Sequence, residues 1–275
     1  MIQRILGLTA YFLRNLYSSL SGAFHLLLAV FFALLFFKDA KPDADYYIIM
    51  VTVYGALAGF LLTLTITTRA NRAENANWIV RLPSRVEYLV AVFLAALSIT
   101  ILLQLLVAGL GLRGGINDDL TFARVGEMPP IWLSVNILII VLALHASDLV
   151  TKGWSRVWIF GVLLLLLFGQ SGSDNIANWI SGRFNQLSFR LGQEGMSNLA
   201  DPLRQAGNWL ALQGGPSLKG ALGLIFWPFR AIVDGVTVSF DRTEALAPAF
   251  LLLYATILFL LAADFFATKD LHLIE

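Results

Sequence analysis

Few side chains in this sequence could do chemistry, and most of them lie inside apolar runs. His25, His145 and His272 are its histidines. His25 and His145 fall in separate apolar runs, which allows a pair of haem ligands on facing helices; a buried histidine bonded to a neighbour is the commoner use. Asp148 follows His145 by three residues and would share its helix face. Gln104 and Asn136 are the best-centred polar residues within apolar runs, where polar groups are costly and invite a functional reading. Asp148 and Asp264 sit near run ends, within reach of water. Such a thin set of central charges argues against an ion-coupled transporter, whose path needs them near the midplane. A channel lacks its polar stripe.

Enzymatic motifs are missing. The sequence holds no Walker A phosphate loop, no HExxH pair and no GxSxG elbow, so ATP hydrolysis, catalytic residues and metal ligands are not expected in this chain. Gly111 to Gly115 (GLRGG) reads as a helix end and turn. The absence of cysteine excludes disulfides and thiolate metal sites, and a net charge of +1 gives no nucleic-acid signal.

The elements that position these groups follow from composition. Of 275 residues, 58% are hydrophobic and only 13% charged, against about 25% charged in a soluble domain. Several runs approach or exceed the roughly 18 apolar residues that identify a membrane span. They are continuously apolar, which disfavours a β-barrel. The expected class is therefore an all-α polytopic membrane protein with six transmembrane helices. The spans run from about Ser21 to Phe37, Tyr46 to Thr67, Tyr88 to Leu112, Ile131 to Val150, Val157 to Gln170 and Leu246 to Ala267. Residues 1–19 carry Arg4 and Arg14 on an amphipathic pattern without a signal-peptide cleavage site, and read as an interfacial helix.

The stretch RANRAENANWIVRLPSRVEY, residues 69–88, is a basic island between the second and third spans. Arginine clusters in short loops stay cytoplasmic. With the N-terminus inside, the inner segments hold Arg4, Arg14, Arg69, Arg72, Arg81, Arg85, Lys152, Arg156 and Lys269, and the short outer loops only Lys38, Lys41, Arg113 and Arg124. Both termini are therefore expected in the cytoplasm. On span two, Gly55 and Gly59 (GALAG) form a small-xxx-small surface for helix packing, within the chain or against a second copy.

Residues 171–245 form the one long segment between spans. Trp179, Phe184, Leu187, Phe189, Leu191, Leu199, Leu203, Trp209 and Leu212 recur within it, which predicts short amphipathic helices on the outer surface. Within it, the apolar run of 218–235 is interrupted by Pro228 and Arg230, which predicts a re-entrant or interfacial piece.

The stretch ENANWIVRLPSRVEYLVAVFLAAL resembles the type-2 ABC transporter permease family, the membrane subunits of many ABC exporters. Glu74, Leu82, Pro83, Ser84, Arg85, Glu87 and Tyr88 stand at matching positions. The turn is one residue shorter than the family's, and Val90-Ala91-Val92 replaces its usual Gly-Lys. An N-terminal amphipathic helix, six spans and a broken hairpin around Trp227-Pro228-Phe229 also match the family's layout.

The resemblance implies a dimeric permease in the cytoplasmic (inner) membrane, exporting cargo at the expense of ATP. ATP and magnesium would be bound on a separate ABC ATPase subunit, with no cofactor in this chain. The other partners would be a second permease copy or homologue and the lipid bilayer. Residues 69–87 would be the cytoplasmic coupling loop, with Arg69, Arg72, Glu74, Trp78, Ile79, Arg81, Leu82, Pro83 and Arg85 facing the ATPase and Trp78 and Ile79 as apolar anchors. The alternative is a structural or assembly subunit of a larger membrane complex, in which the permease fold is kept and transport lost.

Overall fold

A computed structural model describes residues 1–38, 41–115, 121–151, 157, 160–161, 178–237 and 244–268. Among these residues the chain is helical and contains no strand. It divides into two compact units, Val157–Trp227 and the remainder.

In the larger unit the chain starts with α1 (Ile2–Tyr17) and α2 (Leu20–Phe36), bent by 75° at their joint. Ser19 caps α2 by accepting from the Gly22 amide at 3.4 Å. A side chain at Gly22 would put its Cβ 2.3 Å from the Leu16 carbonyl oxygen, so the bend requires glycine there. α1 buries Ile5, Leu8, Phe12 and Leu16, a stripe at helical spacing, and packs on α5. The expected interfacial helix is thus also seated on the bundle.

α3 (Ala44–Ala70) is the central element and packs on α5 (Arg85–Gly111) and α6 (Phe122–Ala146). The short α4 (Ala76–Arg81) links α3 to α5, and α10 (Ala247–Thr268) closes against α6. Four helices, α3, α5, α6 and α10, are long and apolar enough to cross a membrane, and the bent α1–α2 pair raises the number to five. Six spans are therefore not what the described residues contain. The expected first span, Ser21 to Phe37, corresponds to the 17-residue α2, which reaches spanning length only together with α1 across the bend. The expected fifth, Val157 to Gln170, lies largely outside the described residues.

α6 begins nine residues before the expected start at Ile131 and runs through Pro129 and Pro130. Thr121 caps it by accepting from the Arg124 amide at 3.3 Å, and a proline is tolerated in a packed membrane helix whose neighbours satisfy the freed carbonyls.

In the smaller unit, residues 178–193 form α7, followed by α8 (Ser197–Trp209) and a wider π-type turn over Leu210–Gly214. Ser188 on α7 donates to the Ala200 carbonyl at 2.7 Å, joining α7 to α8. α9 (Gly215–Thr237) crosses the boundary between the units. It is one helix with Pro228 inside, not an interrupted hairpin. Proline removes a single i→i−4 bond here, and the flanking apolar turns continue on both sides.

Candidate functional site

The basic island folds around the end of α3. α3 stops at Ala70, and Asn71 and a turn over Ala73–Asn75 lead into α4. Asn75 is the hub of this turn. Its Nδ2 donates to the Arg69 carbonyl at 2.9 Å, and its Oδ1 accepts from the Tyr11 hydroxyl of α1 at 3.2 Å. Tyr88 of α5 donates to the Ala70 carbonyl at 2.8 Å, so α5 and the turn's own Asn75 each satisfy a carbonyl that α3 leaves open.

The predicted contact residues separate into two sets. Arg69 turns inward: its guanidinium donates to the Asn15 carbonyl at 2.8 Å and to the Ser21 hydroxyl at 2.6 Å, on either side of the α1–α2 bend. Ile79 is 1% exposed and faces the chain's own bundle. Both were expected to face a partner; instead they anchor the loop from within. Trp78 is 51% exposed, with its ring 6.3 Å from that of Tyr11. Arg72, Glu74, Arg81 and Pro83 are exposed, and Arg72 lies 3.8 Å from Glu74 in an open ion pair. Leu82 is half-buried in extended conformation, as the following proline demands. Arg85 donates to the Ala267 carbonyl at the end of α10, at 3.4 Å.

Ser84 caps α5 by accepting from the Val86 amide, and Glu87 occupies the first turn, where a carboxylate suits the helix dipole. Arg4 of α1 meets Glu87 with two parallel bonds of 3.0 Å each, Nε to Oε2 and Nη2 to Oε1. This fork-to-fork pairing fixes orientation as well as position. Arg4, Tyr11 and Asn75 did not stand out in the sequence as contact residues. Helical spacing places Arg4 and Tyr11 together on α1, but nothing local shows what they meet.

Deeper in the bundle, Asn136 donates to the Gln104 amide oxygen at 2.6 Å, and Gln104 donates to the Val51 carbonyl at 3.1 Å. Gly55 and Gly59 are buried within the chain, facing this pair and, respectively, Ile140 and Thr100. His25 pairs with the Thr65 hydroxyl at 3.2 Å, and His145 Nε2 with the Leu258 carbonyl at 2.9 Å. α6 ends at Ala146, so Asp148 lies in the turn beyond it and does not share a helix face with His145. Among the described residues no group of His, Cys, Asp and Glu is arranged to hold a metal.

The chain matches no protein-family model, no curated protein and no solved structure.

Proposed function

We propose that this chain is the membrane-spanning subunit of an ATP-driven exporter of the type-2 ABC permease class. The observation that carries this is α4 with the turn that leads into it: a short helix pinned from within by Ile79 and Asn75, which presents Trp78 and Arg81 outward, with Arg72 and Glu74 exposed on the turn before it. An exposed aromatic ringed by charges is a suitable docking element for a soluble partner. A push on α4 has two rigid routes inward. One runs through Asn75 and Tyr11 to α1, and the other through Arg69 to the α1–α2 bend. In this reading the α3–α5 turn and both termini are cytoplasmic, and the protein resides in the cytoplasmic membrane. Two copies pair above two ATPase subunits that bind ATP and magnesium. The apolar spans favour an amphiphilic cargo.

Affinity purification of the native complex in gentle detergent tests this, with copurification of a P-loop ATPase as the expected result. Arg72→Glu with Arg81→Glu should abolish that association or its ATP turnover, while the chain still folds. Copurification without any such ATPase defeats the proposal. The shortened turn after Leu82 favours a second reading, an assembly subunit that has lost transport. An ATPase that copurifies but keeps its turnover in the doubly charge-reversed variant would support it.

A further inference from the structure

A groove of about 400 Å³ runs along the larger unit, lined by Ile49, Val53 and Ala56 of α3, Val135 and Ile139 of α6, and Ile232 of α9. Its polar lining side chain among the described residues, Thr52, donates its hydroxyl to the Ile48 carbonyl of its own helix at 2.6 Å. The groove therefore offers no polar atom to a ligand along its length. Two of its walls, α3 and α6, are helices long enough to cross a bilayer, so at their depth the occupant is hydrocarbon.

The dimensions fit one leaflet. Asp45, in the first turn of α3, marks the rim, and Ala56 lies eleven residues further along, or about 16 Å at helical rise. Half of a hydrocarbon core is about 15 Å. An acyl chain of a single leaflet would reach from the rim to the groove's end.

The rim carries the selecting charges. Arg124, only 7% exposed, is neutralised by Asp45 at 2.8 Å and Glu127 at 2.9 Å, and donates to the Gly235 carbonyl of α9. Next to the groove-lining Phe229 and about one turn from Val233, Arg230 is 80% exposed and reaches Asp234 at 3.5 Å. Among the described residues, Asp45, Glu127 and Asp234 outnumber Arg124 and Arg230 there by one charge. A net-anionic headgroup meets an excess of carboxylate there. A zwitterionic one is complementary at both ends: its phosphate suits the Arg230 fork, and its ammonium suits the carboxylates of Asp234 and half-exposed Asp45.

We infer that this groove is a binding site for a phospholipid with a primary-ammonium zwitterionic headgroup, of the phosphatidylethanolamine type. One acyl chain lies between α3, α6 and α9, and the headgroup sits on Arg230 and Asp234. The inference depends on these helices spanning a bilayer and not on the exporter reading. It is tested on the chain alone, without ATPase, so the failure of one leaves the other standing.

The full-length protein is extracted from vesicles holding equal parts of phosphatidylethanolamine, phosphatidylcholine and phosphatidylglycerol, and retained lipid is counted by native mass spectrometry. One phosphatidylethanolamine per chain should be retained, favoured over phosphatidylglycerol by roughly threefold to fivefold, the scale of a partly exposed ion pair. Asp234→Asn, which removes the carboxylate that receives the ammonium, should erase that preference, whereas Arg230→Gln, which removes the phosphate partner, should lower retention of all three lipids. A phosphatidylethanolamine carrying a diazirine in its acyl tail should label the 49–56 and 135–139 segments, and Ala56→Phe, which fills the groove, should suppress that labelling. Equal retention of all three lipids, or labelling spread over every outer helix face and unchanged by Ala56→Phe, overturns the inference. Should Ala56→Phe fail to fold, the Asp234→Asn arm decides.

Discussion

Gly55→Ala probes how the bundle holds its buried amides. A Cβ at this position would lie 2.4 Å from Gln104 Nε2, 2.6 Å from its Cδ and 2.7 Å from Asn136 Oδ1. Ordinary contact begins at 3.4 Å, so the Gln104 amide must retreat by about 1 Å. That movement breaks its bond to the Val51 carbonyl and loosens the one from Asn136. Hydrogen bonds between membrane helices contribute about 0.6 kcal/mol on average and about 1.7 at most. Overpacking adds about 1–3 kcal/mol. The expected loss is therefore about 2–4 kcal/mol, read as the midpoint of helix loss when SDS is titrated into mixed micelles. Gly59→Ala is the control: its Cβ comes no nearer than 3.3 Å to Ile140 Cγ1, and the cost should stay below about 1 kcal/mol. Adding Gln104→Ala to Gly55→Ala removes the obstructed group, so the two changes should couple by more than about 1 kcal/mol. A Gly55→Ala protein within about 0.5 kcal/mol of the parent, or a strictly additive pair, refutes this account of the core.

Ile79→Ala should destabilise the chain by about 2–4 kcal/mol, as for a fully buried aliphatic side chain, whereas half-exposed Trp78→Ala should change the same SDS midpoint by less than about 0.5 kcal/mol. Arg4→Ala and Glu87→Ala should each release α1 from α5 and speed tryptic cleavage at Arg14. The double variant should be no worse than either alone, because each change removes the same pairing. Gly22→Ala places a Cβ against backbone that cannot yield and should open the α1–α2 bend, costing about 2 kcal/mol or more; electron-spin distances between labels on the two helices would read the change in angle.

The long helices were legible because an unbroken apolar run is a strong local signal. Tyr46 to Thr67 became Ala44–Ala70, Tyr88 to Leu112 became Arg85–Gly111, and Leu246 to Ala267 became Ala247–Thr268. Prolines misled the reading. The fourth span was expected to start at Ile131, just after Pro129-Pro130, and Pro228 to interrupt its run, yet all three prolines lie inside helices, because tertiary neighbours offset the lost backbone bonds. The position of the basic island was visible, but not which way its residues turn. Trp78 and Ile79 are adjacent apolar residues that look alike in sequence, and six residues of helix are too few for a periodicity to separate them. The groups that hold the island were hidden for another reason. Arg4 and Glu87 are 83 positions apart, Tyr11 and Asn75 are 64, and no local pattern reports a partner at that range.

Arg124 also bears on how the protein is made. It stands in the first turn of α6, yet one of its acceptors, the Gly235 carbonyl, comes 111 positions later. At about 5–20 residues per second a ribosome needs roughly 6 to 22 s to reach it. Throughout that interval the young α6 carries an arginine at its membrane entrance whose final set of acceptors is incomplete. The seat of this arginine, already paired with Asp45 and Glu127, is complete only once α9 is synthesised, and chains truncated before Gly235 should be cleared faster than chains that extend past it.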